Sequence, residues 1–196
     1  QAFDMGEQMA GPEIKKIIDH PSATKAREFF GKKYGCELTD HQKAYAAETK
    51  KLEAKAKELL KKAEAGDVSA MAKVAVVYQA TEEGLLQDFK KAFYWAEKSA
   101  KKGNVEGMGL LAALYNRGDG VEKSNEKAFE WFLKAAKGGD VDSMYVVGLN
   151  FYDGQGTEED LTKAVQWLVK AMDHGHSEAQ EKLAEMYVRG ELQAVA

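Results

Sequence analysis

Cysteine is nearly absent from this chain of 196 residues: Cys36 is the only one. That excludes an internal disulfide framework and any metal site built from several thiolates. Prolines number two, which leaves few points where a helix is barred for want of an N–H. No apolar run approaches the ~18 residues that a spanning helix needs, so membrane insertion is not expected. Charge of one sign is also missing. Lys and Arg total 28 and Asp and Glu 32, interleaved, for a net charge of -4. Such a balance lacks the electrostatic footprint of a nucleic-acid or anionic-membrane binder. The remainder, 44% apolar and 31% charged, is that of an ordinary globular protein.

What is there is a period. Trp95, Trp131 and Trp167, the three tryptophans of the chain, stand 36 residues apart. Each closes the same phrase: Lys91-Ala92-Phe93-Tyr94-Trp95, Lys127-Ala128-Phe129-Glu130-Trp131, Lys163-Ala164-Val165-Gln166-Trp167. Self-similarity at such a fixed interval marks stacked supersecondary units. The glycines keep the same time. Gly66, Gly103, Gly139 and Gly175 are each followed by Asp67, Asn104, Asp140 or His176. Glycine accepts the left-handed conformation that ends a helix. Asp or Asn then offers a side-chain oxygen to the free amides of the next helix. His176 is the weaker cap of the four.

The spacing after each glycine predicts the first helix of a unit. Small residues come four positions on (Ala70, Gly107, Ser143, Ala179), aliphatic ones at eight (Val74, Leu111, Val147, Leu183), and aromatics at twelve (Tyr78, Tyr115, Phe151, Tyr187). These fall in one stripe of a helix, with small residues where a neighbour comes close. A turn follows, with Gly118-Asp119-Gly120 or Gly154-Gln155-Gly156 as its permissive backbone. Asp88, Ser124 and Asp160 are the expected N-caps of the second helices. Those helices are expected to bury Ala92, Trp95, Ala96 and Ser99, then Ala128, Trp131, Phe132 and Ala135, then Ala164, Trp167, Leu168 and Ala171. The lysines Lys61, Lys98, Lys134 and Lys170 read as a solvated column near the helix C-termini.

These residues resemble the Sel1-like repeat family, relatives of the tetratricopeptide repeats with slightly longer units. The resemblance is carried by the Gly-Asp/Asn junctions, by Tyr115-x-x-Gly118-x-Gly120-Val121, and by Lys127-Ala128-x-x-Trp131-Phe132-x-Lys134-Ala135-Ala136. It covers about residues 56–190 and is best in the second unit. The first unit departs from it, with Thr81 in place of Gly118 and Gly154 and one residue inserted before Asp88. The disulfide of the cysteine-rich members has no counterpart. The expected fold is all-α, a right-handed α–α superhelix of helix–turn–helix repeats. Its expected division is a non-repeat helical segment 1–39, a capping helix 40–65, repeats 66–102, 103–138 and 139–174, and a half repeat 175–196. Helix 40–65, capped by Asp40, places Tyr45, Leu52, Ala56, Leu59 and Ala63 on one face. In segment 1–39, Ile14, Ile17 and Ile18 suggest a helix broken at Pro21, with another from Ser22 to about Tyr34.

A helical wheel of the first helices puts the third, sixth, tenth and fourteenth positions opposite the buried stripe. In a solvated helix these are charged. Here the sixth and tenth are Ala72 and Val76, Gly109 and Ala113, Tyr145 and Leu149; only the last helix turns polar, with Glu181 and Glu185. Two accounts stand. The first helices form an inner layer that touches neighbours on both sides, or they line a partly exposed apolar groove on the concave wall. On the second account the partner-binding residues are Val76, Ala113, Tyr145, Leu149 and Tyr152, with Asn116, Arg117 and Asp153 at a polar rim. Segment 1–39 is a further candidate to fill the groove.

No candidate chemistry survives comparison with a structural role. His174 and His176 flank a repeat junction with no third ligand beside them. His20, His41 and Cys36 lack a fixed base or orienting group. The Gly-x-Gly pairs follow helices rather than strands and lack the phosphate-loop lysine. Glu158-Glu159-Asp160 suits a helix start. The expectation is a non-catalytic module without cofactor or metal that binds a protein or peptide partner. The resemblance implies adaptor, regulatory or host- and effector-binding work, including an exported bacterial immunity or regulatory protein. Two alternatives are a self-assembling piece that dimerises through its solenoid ends, and an enzyme with its site in residues 1–39. The latter segment is too short for an independent catalytic domain. A start at Gln1 suits a removed signal peptide, so a periplasmic or secreted location is expected, with a cytoplasmic one as the alternative.

Overall fold

The computed structural model describes residues 54, 56–79 and 87–194. The expectations for residues 1–39, for Asp40, Tyr45 and Leu52, and for the turn at Thr81 lie outside the described residues. All regular structure among the described residues is helical. Helix α1 covers 56–64. There follow α2 (Val68–Gln79), α3 (Phe89–Lys101), α4 (Val105–Arg117), α5 (Asn125–Lys137), α6 (Val141–Asp153), α7 (Leu161–Asp173) and α8 (Ser177–Val188), then a 3-10 turn, Glu191–Ala194. Each helix from α2 to α8 packs on its neighbours in the chain, and α2 also touches α4. This is an all-α repeat solenoid, in which α2, α4, α6 and α8 are first helices and α3, α5 and α7 second helices.

The junctions show how two residues end one helix and begin the next. Gly139 sits at φ +98, and the amide of Asp140 reaches back to the carbonyl of Ala135 at 3.1 Å. That closes the last turn of α5. The Asp140 carboxylate then accepts from Ser143 N at 2.9 Å. Asp67 and Asn104 cap α2 and α4 in the same way, at 2.9 and 2.7 Å. The second helices are capped by Asp88, Ser124 and Asp160, at 3.0, 3.2 and 2.9 Å. His176 also caps its helix, through the longest of the four junction bonds, in keeping with its rank as the weaker cap. Its Nδ1 accepts from Ala179 N at 3.2 Å, because a neutral imidazole keeps one ring lone pair free.

The small residues let helices approach closely. A Cβ on Gly107 of α4 would lie 2.6 Å from Ser99 Oγ of α3, and one on Gly148 of α6 would lie 2.8 Å from Leu168 Cγ of α7. Ser99, fully buried, donates its hydroxyl to the carbonyl of Val68 at 3.0 Å. The turn glycines meet a harder limit. Gly120 and Gly156 have φ +73 and +74, and a Cβ there would fall 2.2 Å from Phe89 O and 2.1 Å from Asn125 O. Each turn therefore rests on the first residue of the preceding unit's second helix, and only glycine fits.

Two cores result. One gathers Met71, Val74, Trp95, Leu111 and Leu114, joined by Leu59, Leu60 and Ala63 of α1. The other gathers Phe132, Val147, Phe151, Leu168 and Leu183. Tyr115 and Trp131 pack against both and make them continuous. The indoles correct the sequence reading in one respect. Trp95 is buried, but Trp131 and Trp167 are only partly so. The lysine column is not simply solvated. Lys98, Lys134 and Lys170 lie over the rings of Trp95, Trp131 and Trp167, at 5.0, 3.9 and 4.3 Å from the centroids. The ring face left open by packing attracts an ammonium three residues on. At Glu58, where the indole is missing, Lys62 forms an ion pair of 2.7 Å instead.

Candidate functional site

The outward side of the first helices is the surface that sequence singled out. Its centre is a row one residue wide: Val76 of α2, 43% exposed, then half-buried Ala113 of α4 and Leu149 of α6. Each stands ten residues after a junction glycine, opposite the buried stripe, so the repeat itself places the row. The corresponding residue of α8 is exposed Glu185, and the apolar row stops there. Asn116 and Asp153 are exposed beside it.

Three other candidates are engaged in joints between units. Tyr145 of α6 stacks on the ring of His176 at the start of α8, with centroids 4.5 Å apart. Arg117 of α4 pairs with Asp119 at 2.5 Å and donates to Gln79 Oε1 of α2 at 3.0 Å. Tyr152 of α6 donates its hydroxyl to Glu191 in the terminal turn at 3.1 Å, under Lys182 Nζ at 4.0 Å from its ring. The spacing that brought these residues to the outward side did not reveal their hydrogen-bond and stacking partners in other units, His176, Gln79 and Glu191, which lie 31 to 39 residues away and differ from unit to unit.

The outward side also carries acids that the apolar pattern passed over. Glu106, Asp142 and Glu178 occupy the first turns of α4, α6 and α8. All three are exposed and stand three positions after a junction glycine, so the third column of the repeat was their signal. The helix dipole favours acids there. The Glu178 carboxyl is held below the ordinary glutamate value by its own backbone amide and then by the Ser177 hydroxyl.

Of the titratable residues first considered for chemistry, His20, His41 and Cys36 lie outside the described residues. Both junction histidines serve helix ends: His174 Nδ1 lies 2.8 Å from Lys170 O, and His176 caps α8. Among the described residues no three of His, Cys, Asp and Glu gather as metal ligands, and no helix is long and apolar enough to cross a membrane.

Comparison with known proteins agrees with this architecture. The family described as Sel1 repeat matches residues 68–104, 105–140, 141–176 and 177–195, more than half of the chain. The chain belongs to the Sel1 repeat family. Sel1 repeats generally mediate contacts between proteins and serve as non-catalytic scaffolds. No curated protein matches the chain. Among solved structures, a Sel1 repeat protein from Oxalobacter formigenes is 30% identical over 65% of this chain and 96% of its own, with a TM-score of 0.59. The protective antigen c5321 of uropathogenic Escherichia coli, which displays the same fold, is 27% identical over 92% of this chain, with a TM-score of 0.64. This chain covers 37% of that antigen's length. Cysteine rich protein B of Helicobacter pylori, 22% identical over 64% of this chain and 95% of its own, shares the fold with a TM-score of 0.51.

Proposed function

We propose that this protein holds one protein partner on the outward side of its first helices, with Val76, Ala113 and Leu149 as the apolar row against which the partner packs. The observation that carries the reading is the failure of these positions to be charged. A helix side turned from its own core is ordinarily polar. Here it is apolar in three successive units and polar in α8. Asn116 and Asp153 supply a polar rim that orients the contact. The role is that of an adaptor or regulator, and its narrower form is an exported bacterial protein that neutralises one specific effector. The kinship with bacterial Sel1 proteins supports that setting.

Affinity purification with two baits tests the reading. The double variant Val76→Gln, Leu149→Gln should lose a protein that the unaltered chain retains, a weakening of about tenfold or more, while its melting temperature changes little. Tyr94→Gln removes a ring 53% exposed on the second-helix layer and should retain the partner. Loss with Tyr94→Gln and retention by the double variant would place the contact on the other layer.

A further inference from the structure

The outward side of the first helices is not electrically neutral, and its charge selects the chemistry of the partner. Resting on the binding reading above, we propose that the bound segment is cationic: an extended peptide stretch in which lysine or arginine alternates with apolar side chains.

Among the first helices α2 carries the exposed Lys73, whereas the cations of α4, α6 and α8 are all engaged. Arg117 is held by Asp119. Arg189, which caps the end of α8, is held by Glu185 and Glu191. Lys182 lies 3.3 Å from Glu185 and over the Tyr152 ring. No other lysine or arginine occurs on these three helices. The acids are in excess. Glu106, Asp142, Asp153, Glu178 and Glu181 are all exposed. Among the described residues none of them pairs with a lysine or arginine. Asp142 has its side chain 92% exposed and only His176 beside it, at 3.7 Å.

The second helices carry the opposite balance. Lys98, Lys134 and Lys170 lie on tryptophans, and Lys91 and Lys163 pair with their cap aspartates at 3.1 and 2.8 Å. A net charge near neutral in the composition therefore conceals an uneven distribution, in which α4, α6 and α8 are the negative part of the layer that bears the apolar row, while α2 carries Lys73. Complementary charge steers a partner to its site and fixes its register.

The repeat also sets a spacing. Glu106, Asp142 and Glu178 recur once per unit, each in the first turn of a first helix. A segment laid along the solenoid therefore meets one of these acids per unit. Apolar side chains between them reach Ala113 and Leu149. The dipole accounts for an acid in the first turns of α4, α6 and α8, but not for the shortage of cations on these three helices; α2 has no first-turn acid and carries the exposed Lys73, so the negative surface begins at α4.

The test is selection of a displayed library of random short peptides on the full chain, followed by affinity measurement for the enriched sequences. The inference expects enriched peptides with an excess of Lys and Arg. Their affinity should fall by about tenfold or more in the triple variant Glu106→Gln, Asp142→Asn, Glu178→Gln, and should weaken as salt rises. It should fall in Leu149→Gln as well. Neutral or acidic peptides that still depend on Leu149 would overturn the cationic partner and leave the binding row standing. Peptides indifferent to both variants would overturn both. A library that yields no binder also overturns the cationic segment, because the surface then lacks complementarity to such a chain.

Discussion

Phe151 and Tyr187 occupy the same place in successive units, twelve residues after the junction glycine, and their fates differ. Phe151 of α6 is buried, with the edge of Phe129 at 5.2 Å on one side and Lys163 Nζ at 5.3 Å from its centroid on the other. Tyr187 of α8 is 73% exposed, and Val188 beside it 85%. The preceding unit's second helix is available to both. What α6 has and α8 lacks, among the described residues, is a second helix of its own. A first helix in this fold therefore has its aromatic covered from two directions, and the preceding unit's second helix does not suffice alone.

That contrast is breakable. Phe151→Ala should cost ~3–5 kcal/mol, as large-to-small changes in a packed core do. Tyr187→Ala should stay within ~0.5 kcal/mol. Midpoints of denaturant unfolding for the two variants check the pair, and similar costs would show that the fourth aromatic is covered after all. The turn glycines sharpen the same comparison. Gly156 and Gly190 share φ +74, but a Cβ would meet Asn125 O at 2.1 Å at the former and nothing within 4 Å at the latter. Gly190→Ala should cost only the left-handed strain, ~1–2 kcal/mol. Gly156→Ala should exceed it, because the backbone of α5 must shift, and thermal melts of the two variants decide. At the cap that joins the two units, His176→Ala should cost ~1 kcal/mol, comparable to Asp140→Ala one unit earlier.

The smallest effect concerns acid. Lys163, through its side chain and then its amide, holds the Asp160 carboxyl below the ordinary aspartate value. A depressed carboxylate stabilises the fold above its unfolded value, and that contribution is lost as pH falls through the lower folded one. Ser124 caps α5 with a hydroxyl that does not titrate. Asp160→Ser should therefore lose less melting temperature than the unaltered protein between about pH 5 and pH 2. An unchanged slope would mean that the cap carboxylate is not part of acid unfolding.

The fold was legible because it is periodic. One glycine, one cap and one stripe, read at four junctions, with the turn and cap between them, forecast α2 to α8 and their caps. The site was legible only in part. Periodicity places Val76, Ala113 and Leu149 on a side, since position in the repeat is all that requires. It cannot announce that Tyr145 finds an imidazole or that Tyr152 finds Glu191, because those partners are particular to one unit. The lysines were misjudged for a related reason. On a wheel Lys134 is a solvated charge, and only the half-open indole of Trp131 shows what it covers. His176 keeps its place as a cap because one ring lone pair is aimed at an amide, and the bond is longer than those of the Asp and Asn caps, as the ranking of residue types implies.

Site-specific photo-crosslinking in the native cell tests the central claim most directly. A photoreactive residue is placed in turn at Ala113 and Leu149 on the first helices and at Tyr94 and Gln166 on the second. The account predicts a protein adduct from the first two positions and none from the others. An adduct formed at 94 or 166 and absent at 113 and 149 would contradict it.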